Sequence, residues 1–259
     1  MTWRVLGASV RGTRHVREGM PCQDAHAWRV LPCGSVALAV ADGAGSAPHA
    51  AAGAAAAARA AIDALGDGGD AGPALDRALI AALAAVEQEA ARRNAAPREL
   101  ATTLILALAS DDGVSAAQVG DGALVVEGAD GMHSITVPMG GEFVNETVFL
   151  TSPGALDAVQ RSSWSGTPLH LAAFSDGLQG LALRRPDHAP HAPFFAPLFR
   201  FAGETDDAAA GEAELAAFLA GPRVTARADD DLTLVIAAHA RKERLASHRD
   251  TEAQREQQK

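Results

Sequence analysis

Short apolar runs recur along the chain and predict the strands of a sheet. The run at residues 35–40 stops just before Asp42, and the run at 169–174 stops just before Asp176. Apolar runs of this length that end at turn residues are typical of buried strands. The same pattern predicts further strands at residues 5–10, 27–31, 102–109, 114–119, 123–127, 133–137, 146–150 and 232–238.

Longer stretches without internal proline predict helices. We expect helices at residues 48–65, 73–94 and 205–219. The first is rich in alanine, the residue with the highest helix propensity. In the second, leucine and valine recur at spacings of four and three, which places them on one helix face. Four prolines between residues 184 and 197 predict a loop there.

The order of these elements predicts an α+β fold. Strands come first, two long helices follow, and then come a series of strands, a helix and a last strand. The strict alternation of strand and helix that builds a parallel sheet is missing, so this order favours antiparallel sheets with helices packed outside them. We expect one domain at residues 1–240 and a polar tail at 241–259, which carries six basic and four acidic side chains.

Composition narrows the class of protein. Hydrophobic residues make up 48% of the 259 residues, aromatic residues only 4%, and roughly a quarter of the chain is alanine. This supplies a core of Ala, Val and Leu and excludes a mainly disordered chain. The formal net charge of −10 argues against a nucleic-acid-binding protein, because an acidic surface repels phosphates.

Targeting and membrane signals do not stand out in the sequence. The first residues lack the basic and apolar pattern of a signal peptide, and no apolar run reaches the length of about 18 residues that spans a bilayer. Cys22 and Cys33 are too few for a disulfide framework. We therefore expect a cytoplasmic protein that has no membrane partner.

The most informative residues are aspartates beside the ends of predicted strands. They are Asp24, Asp42, Asp121, Asp176 and Asp230, and three of them precede a glycine. An Asp-Gly pair alone is an ordinary turn dipeptide. Its recurrence after apolar runs predicts that one sheet edge gathers several carboxylates, which repel one another unless a cation neutralises them. Oxygen-rich sites suit Mg²⁺ or Mn²⁺, and two such ions can activate a water and hold a phosphate.

The motifs around these aspartates form an ordered series. They are Cys22-Gln23-Asp24-Ala25-His26, Val40-Ala41-Asp42-Gly43-Ala44-Gly45-Ser46, Ala101-Thr102-Thr103-Leu104, Val119-Gly120-Asp121-Gly122, Phe174-Ser175-Asp176-Gly177 and Asp230-Asp231-Leu232-Thr233-Leu234. The series resembles the metal-dependent serine/threonine protein phosphatases of type 2C, the PPM family, in its bacterial branch. The resemblance implies a four-layer α/β/β/α sandwich, in which two antiparallel sheets are flanked by helix pairs.

The resemblance also implies roles for individual residues. The implied metal ligands are Asp24, Asp42, Gly43, Asp121, Asp176 and Asp230, and the implied catalytic residues are Asp42, Asp176 and Asp230. Asp42 would bridge two Mn²⁺ or Mg²⁺ ions, and the Gly43 carbonyl would bind one of them. Asp176 and Asp230 would hold the other ion, and Asp121 would share a weaker third ion with Asp176. Asp24 would coordinate directly or through water.

The chain departs from the family pattern at three positions. Gln23 stands where relatives usually carry an acid, which removes one charge from the site. Ala44 replaces a histidine that is a candidate general acid, so water or another group such as His49 must supply that proton. Gly19 replaces an arginine that binds phosphate in many relatives.

Two other basic residues are candidates for binding the substrate phosphate. Arg14 or Arg17 could reach the site, because a guanidinium binds phosphate with two hydrogen bonds. The alternative for both arginines is an ordinary surface charge.

The sequence therefore predicts a protein phosphatase that hydrolyses phosphoserine or phosphothreonine through a water activated by two metal ions. Its partners would be a phosphorylated protein and the serine/threonine kinase that supplies it. Residues 140–152 are expected to form a flap over the site. Two alternatives stay open: a catalytically weak or inactive binding module on the same fold, and a hydrolase of a small phosphorylated molecule.

Overall fold

Two five-stranded antiparallel sheets form the middle layers of the computed structural model, which describes residues 2–66, 69–139 and 147–240. The first sheet contains, in spatial order, β1 (Thr2–Val10), β10 (Leu232–Ala240), β9 (His170–Phe174), β6 (Ala123–Gly128) and β7 (Gly131–Thr136). The second contains β2 (Ala25–Val30), β3 (Val36–Ala41), β4 (Leu104–Ser110), β5 (Gly113–Val119) and β8 (Gln160–Ser165). Neighbouring strands are antiparallel throughout both sheets.

Helices cover the outer face of each sheet. The α-helices of the described residues are α1 (Thr13–Glu18), α2 (Ala50–Ala64), α3 (Ala71–Arg92), α4 (Gln179–Ala182), α5 (Ala192–Glu204), α6 (Ala208–Leu219) and α7 (Pro222–Thr225). The pair α2 and α3 packs on the second sheet, and α5 and α6 pack on the first. This arrangement confirms the predicted α+β sandwich of four layers. Within the described residues, none of these helices has the length and apolar character needed to cross a membrane.

Three apolar layers hold the sandwich together. Aliphatic side chains such as Leu38, Ile105 and Val235 fill the space between the sheets. The layer between α2 and the second sheet is built mostly from small side chains, including Ala57 and Ala39, which are fully buried. Because alanine has no side chain beyond Cβ, α2 lies close to the strands and still excludes water. Part of the alanine excess in the sequence therefore lies in the layer between α2 and the second sheet.

The structure corrects two predicted segments. The strand expected at residues 146–150 is wrong, because residues 147–149 have no strand conformation and residue 146 lies outside the described residues. The loop expected at residues 184–197 gives way to α5 from Ala192 onward. Pro193 lies in the first turn of α5, where the backbone N–H has no helical partner, and buried phenylalanines anchor the helix to the first sheet.

Strand β8 was missed by the sequence interpretation. Its sequence is mostly polar and alternates between more and less exposed side chains, as expected for a strand at the edge of a sheet. The flap predicted at residues 140–152 lies outside the described residues from 140 to 146 and is not tested.

Candidate active site

One end of the sandwich contains a cavity of about 470 Å³ at the ends of β3, β9 and β10. Four of the five aspartates singled out in the sequence line it, and they come from four different turns. The lining residues are Arg14, His15, Glu18, Asp42, Gly43, Ala44, Gly45, Ser46, Thr103, Asp121, Thr147, Phe149, Asp176 and Asp230. The fold therefore gathers at one edge the carboxylates that the sequence places far apart.

Three of these carboxylates are close enough to share a cation. One oxygen each from Asp42, Asp121 and Asp176 lies within 4.8 Å of the other two. Removal from water raises the pKa of Asp42 well above its usual range, and the negative charges of Asp24, Asp176 and Asp121 raise it further. Burial also raises the pKa of Asp176, with added repulsion from Asp121 and Asp230. An oxygen-only cluster under this repulsion fits a hard divalent cation such as Mg²⁺ or Mn²⁺.

Two threonines hold the turn that carries Asp42. The Asp42 N–H donates to Thr103 Oγ1 at 3.1 Å, and the Thr103 N–H donates back to the Asp42 carbonyl at 2.8 Å. Thr102 Oγ1 donates to the same carbonyl at 2.9 Å. A Cβ atom at Gly43 would lie 2.7 Å from the Gln23 carbonyl oxygen, so glycine is needed here. The Ala-Thr-Thr-Leu motif thus fixes the backbone around Asp42.

Asp24 lies behind the cavity rather than in its lining. It is 9% exposed and accepts a hydrogen bond from Ser175 Oγ at 2.7 Å. Burial raises its pKa to about 7, although the hydrogen bonds from Ser175 and Thr233 act in the opposite direction. The negative charges of Asp24 and Asp42 therefore influence each other, but Asp24 does not face the open space of the cavity.

Asp231 joins the first motif of the chain to the last. It is 3% exposed, and its carboxylate accepts bonds from the Gly12 N–H at 2.7 Å, the Gln23 N–H at 2.6 Å and His15 Nδ1 at 2.9 Å. A Cβ atom at Gly12 would lie 2.2 Å from the Asp230 backbone, so the two segments touch directly. The sequence interpretation gave Asp231 no role, although two adjacent aspartates at a strand start offer one side chain to the cavity and one to the interior.

Arg14 is the arginine that reaches the cavity. Its Nη2 atom donates to both carboxylate oxygens of Asp230, at 2.8 and 2.9 Å, and its backbone N–H donates to the Asp229 carbonyl at 2.8 Å. Arg17 is exposed and is not among the lining residues. The structure therefore separates the two arginines that the sequence left equivalent.

The family departures can also be located. Ala44 lines the cavity, while His49 does not. Gln23 is 3% exposed, and its Oε1 atom has no hydrogen-bond partner among the described residues. Thr147 belongs to the segment expected to cover the site but received no role of its own; it lines the cavity and donates a hydrogen bond to Asp121 Oδ2 at 2.8 Å. Together these groups can bind divalent cations and, through Arg14, an anionic group such as a phosphate.

Comparisons with known proteins agree with this geometry. Residues 11–220 match the model of the family described as Protein phosphatase 2C. The chain is 35% identical over 252 residues to Serine/threonine-protein phosphatase 3 of Escherichia coli (strain K12), covering 93% of this chain and 100% of that protein. It superposes on the serine/threonine phosphatase Stp1 from Staphylococcus aureus with a TM-score of 0.63 at 14% identity, covering 93% of this chain and 96% of that one. A bacterial serine phosphatase gives a TM-score of 0.62 at 15% identity, with 92% and 98% covered.

Proposed function

Because this chain belongs to the protein phosphatase 2C family, whose members include serine/threonine phosphatases, we propose that it removes phosphate from phosphoserine and phosphothreonine in proteins with the help of two divalent cations. The observation that supports the cations is the approach of the Asp42, Asp121 and Asp176 carboxylates to within 4.8 Å of one another. Such a cluster is costly without a cation, because each negative charge opposes the ionisation of its neighbours.

The family resemblance suggests which residues would hold the cations, and the cavity brings Asp42, Gly43, Asp121, Asp176 and Asp230 together. Asp42 and the Gly43 carbonyl would serve one ion, with Asp24 behind them, and Asp176 and Asp230 would serve the other; a third ion would bind Asp121 together with Asp176. Bound Mn²⁺ or Mg²⁺ would supply Lewis acidity and a water of lowered pKa.

The chain's own residues position the substrate. Arg14 projects its guanidinium into the cavity beside Asp230, where it can donate to phosphate oxygens in the manner of an arginine fork. Thr102 and Thr103 hold the Asp42 turn in place. Among the described lining residues, His15 is the only histidine, and it is already bonded to Asp231. We therefore infer that solvent protonates the leaving alcohol.

A second candidate is a catalytically weak binding module on the same fold. The observation in its favour is the neutral, buried Gln23, whose Oε1 atom has no partner among the described residues. A hydrolase of a small phosphorylated molecule is the third candidate, because the carboxylates determine which reaction is catalysed but do not determine which substrate is bound. A cognate serine/threonine kinase and a cytoplasmic location are part of the main proposal.

The test is metal-dependent hydrolysis of a phosphothreonine peptide and of a small aryl phosphate. Several kcal/mol of transition-state stabilisation depend on bound cations, so Asp176→Asn should lower kcat/KM at least about 100-fold on both substrates. The matched control is Asp112→Asn, an exposed aspartate in the turn between β4 and β5, which should keep wild-type activity. Absence of Mn²⁺-dependent turnover in the wild-type protein would favour the binding module, and turnover of the aryl phosphate alone would favour the small-molecule hydrolase.

A further inference from the structure

A second cavity of about 470 Å³ lies on the helix layer that covers the first sheet. It forms where α5, the end of α6, α7 and the segment leading into β10 meet. We call it the α5–α7 groove, and its lining includes Leu181, Phe194, Phe218, Arg223, Val224 and Arg227. None of these residues belongs to the cavity that holds the aspartates.

The groove combines exposed aromatic rings with positive charge. Phe218 is 41% exposed, and its ring centroid lies 6.5 Å from that of the half-buried Phe194. Arg223 and Arg227 are exposed, and neither has an ion-pair partner among the described residues. The described lining contains no Asp or Glu. On a chain of net charge −10, this is a local positive surface with an apolar floor.

Chain connectivity places the groove next to the phosphatase cavity. Arg227 is three residues before Asp230, so their Cα atoms are at most about 11 Å apart. Leu181 follows Asp176 by five residues through a 3₁₀ turn and α4, a rise of about 10 Å. An extended peptide advances about 3.3 Å per residue. If the phosphorylated residue of a peptide lies in the cavity, the residues three to five positions away from it can therefore reach the groove.

The charge of the groove selects its occupant. The chain's own tail at residues 241–259 has six basic and four acidic side chains, so two unpaired arginines repel it on balance. A peptide with carboxylates and an apolar side chain matches both features, because arginine pairs with carboxylates and the rings bury apolar area. Resting on the proposed function, we propose that the α5–α7 groove selects phosphoprotein substrates with acidic residues beside an apolar one, three to five positions from the phosphorylated residue.

The first test compares two phosphothreonine peptides. One carries Glu and Leu at positions three to five on both sides of the phosphothreonine, and the other carries Gln in place of Glu. The wild-type protein should favour the acidic peptide in kcat/KM by about five- to ten-fold at low salt, and the preference should shrink at high salt. Arg223→Gln combined with Arg227→Gln should bring the ratio close to one, and Arg223→Glu combined with Arg227→Glu should favour a Lys-containing peptide.

A matched control and a binding measurement separate this proposal from the proposed function. Arg200→Gln removes an exposed arginine of α5 outside the groove and should keep the wild-type ratio. Fluorescence anisotropy with a labelled, unphosphorylated Glu- and Leu-containing peptide measures the groove without catalysis, and the double Gln variant should bind it several-fold more weakly. A wild-type ratio near one, or equal binding by wild type and double variant, would overturn the groove proposal. Loss of all turnover with intact peptide binding would overturn only the proposed function.

Discussion

Strands β9 and β10 run between two ends of the molecule. Acidic side chains lie beside histidines at one end and cluster together at the other. At the end away from the cavity, His170 Nδ1 lies 2.6 Å from Glu127 Oε2, and His239 Nε2 lies 3.3 Å from Asp111 Oδ1. The His239 ring also stacks on Trp3 at a centroid distance of 4.5 Å. At the cavity end, Glu18 and four aspartates share the lining with Arg14 and with His15, which is bonded to Asp231.

The two ends therefore differ in whether the acidic side chains have partners within the chain or repel one another. At the far end, Glu127 and Asp111 each have a histidine ring beside them. Burial raises the pKa of Asp42 and of Asp176 at the cavity end, and repulsion from neighbouring carboxylates, including Asp121, raises both further. Ionised, these side chains make the native state less stable than neutral side chains would. Carboxylates with perturbed pKa values in a cavity are typical of functional sites.

The largest effect on stability is expected at the neighbouring residues Asp230, which lines the cavity, and Asp231, which is buried and joins two chain segments. Asp231→Ala leaves two backbone N–H groups and His15 without their partner in a buried position, so the free energy of unfolding should fall by about 3–5 kcal/mol. Asp230→Ala breaks a partly exposed pair with Arg14 and removes the acceptor of the Asp231 N–H, and it should cost less, about 1–2 kcal/mol. Urea unfolding of both variants checks this order, and equal losses would contradict the division of roles.

The metal-free protein should become less stable as pH rises. Asp24 has its pKa raised from 3.8 to about 7, so between these values the folded protein binds more protons than the unfolded chain does. Stability contributed by the protonated form is complete below about pH 4 and is lost as pH rises through about 7. In the presence of a chelator, Tm at pH 8 should lie more than about 5 °C below Tm at pH 5.

Asp24→Asn provides the control for this pH dependence. The amide cannot ionise, so the slope of Tm against pH should flatten in this variant. A wild-type Tm that rises over the same range in chelator would show that the carboxylates are ionised at no cost.

Arg14 and Arg17 allow a smaller test at the cavity itself. Arg14→Gln removes the guanidinium beside Asp230 and should lower kcat/KM for a phosphothreonine peptide about ten-fold, the worth of one or two charge-assisted hydrogen bonds. Arg17→Gln changes an exposed side chain outside the cavity lining and should leave kcat/KM near the wild-type value. Steady-state kinetics on both variants decide the point, and a larger effect at Arg17 would reverse the assignment.

The smallest effect on stability is expected at the end of the molecule away from the cavity. His239→Gln removes the stacking on Trp3 and should lower the free energy of unfolding by about 1 kcal/mol. Because His239 lies at the opposite end of β10, metal-dependent turnover should not change. A loss of kcat in this variant with unchanged stability would show that the two ends are not independent.

Short-range patterns in the sequence predicted antiparallel sheets with outer helices and the aspartates of the cavity, and the family resemblance implied the four-layer sandwich. Apolar runs that stop at an aspartate mark the strand ends, and antiparallel neighbours bring alternate strand ends to one edge. Strand β8 and the start of α5 were missed for local reasons. A mostly polar edge strand lacks an apolar run, and the prolines of α5 obscured a helix that burial of Phe195 and Phe199 stabilises.

The supporting contacts of the site could not be predicted in the same way. The bonds from Gly12 and His15 to Asp231 join residues more than two hundred positions apart, and no local pattern signals them. The same holds for the choice between Arg14 and Arg17, since both lie on one short helix and only the position of Asp230 distinguishes them. The residue types in the sequence indicated a site of carboxylates and arginines, and the tertiary contacts showed which of these side chains lie together.

Thermal unfolding with added Mn²⁺ shows whether the carboxylates of the cavity bind divalent cations. A ligand at 100 times its Kd stabilises the folded state by about 2.7 kcal/mol, so wild-type Tm should rise by about 5–10 °C relative to chelator. Asp112→Asn should show the same rise, and Asp176→Asn should lose most of it while starting from a Tm in chelator at or above the wild-type value. A wild-type Tm that does not respond to Mn²⁺, or an equal response in Asp176→Asn, would contradict cation binding at these carboxylates.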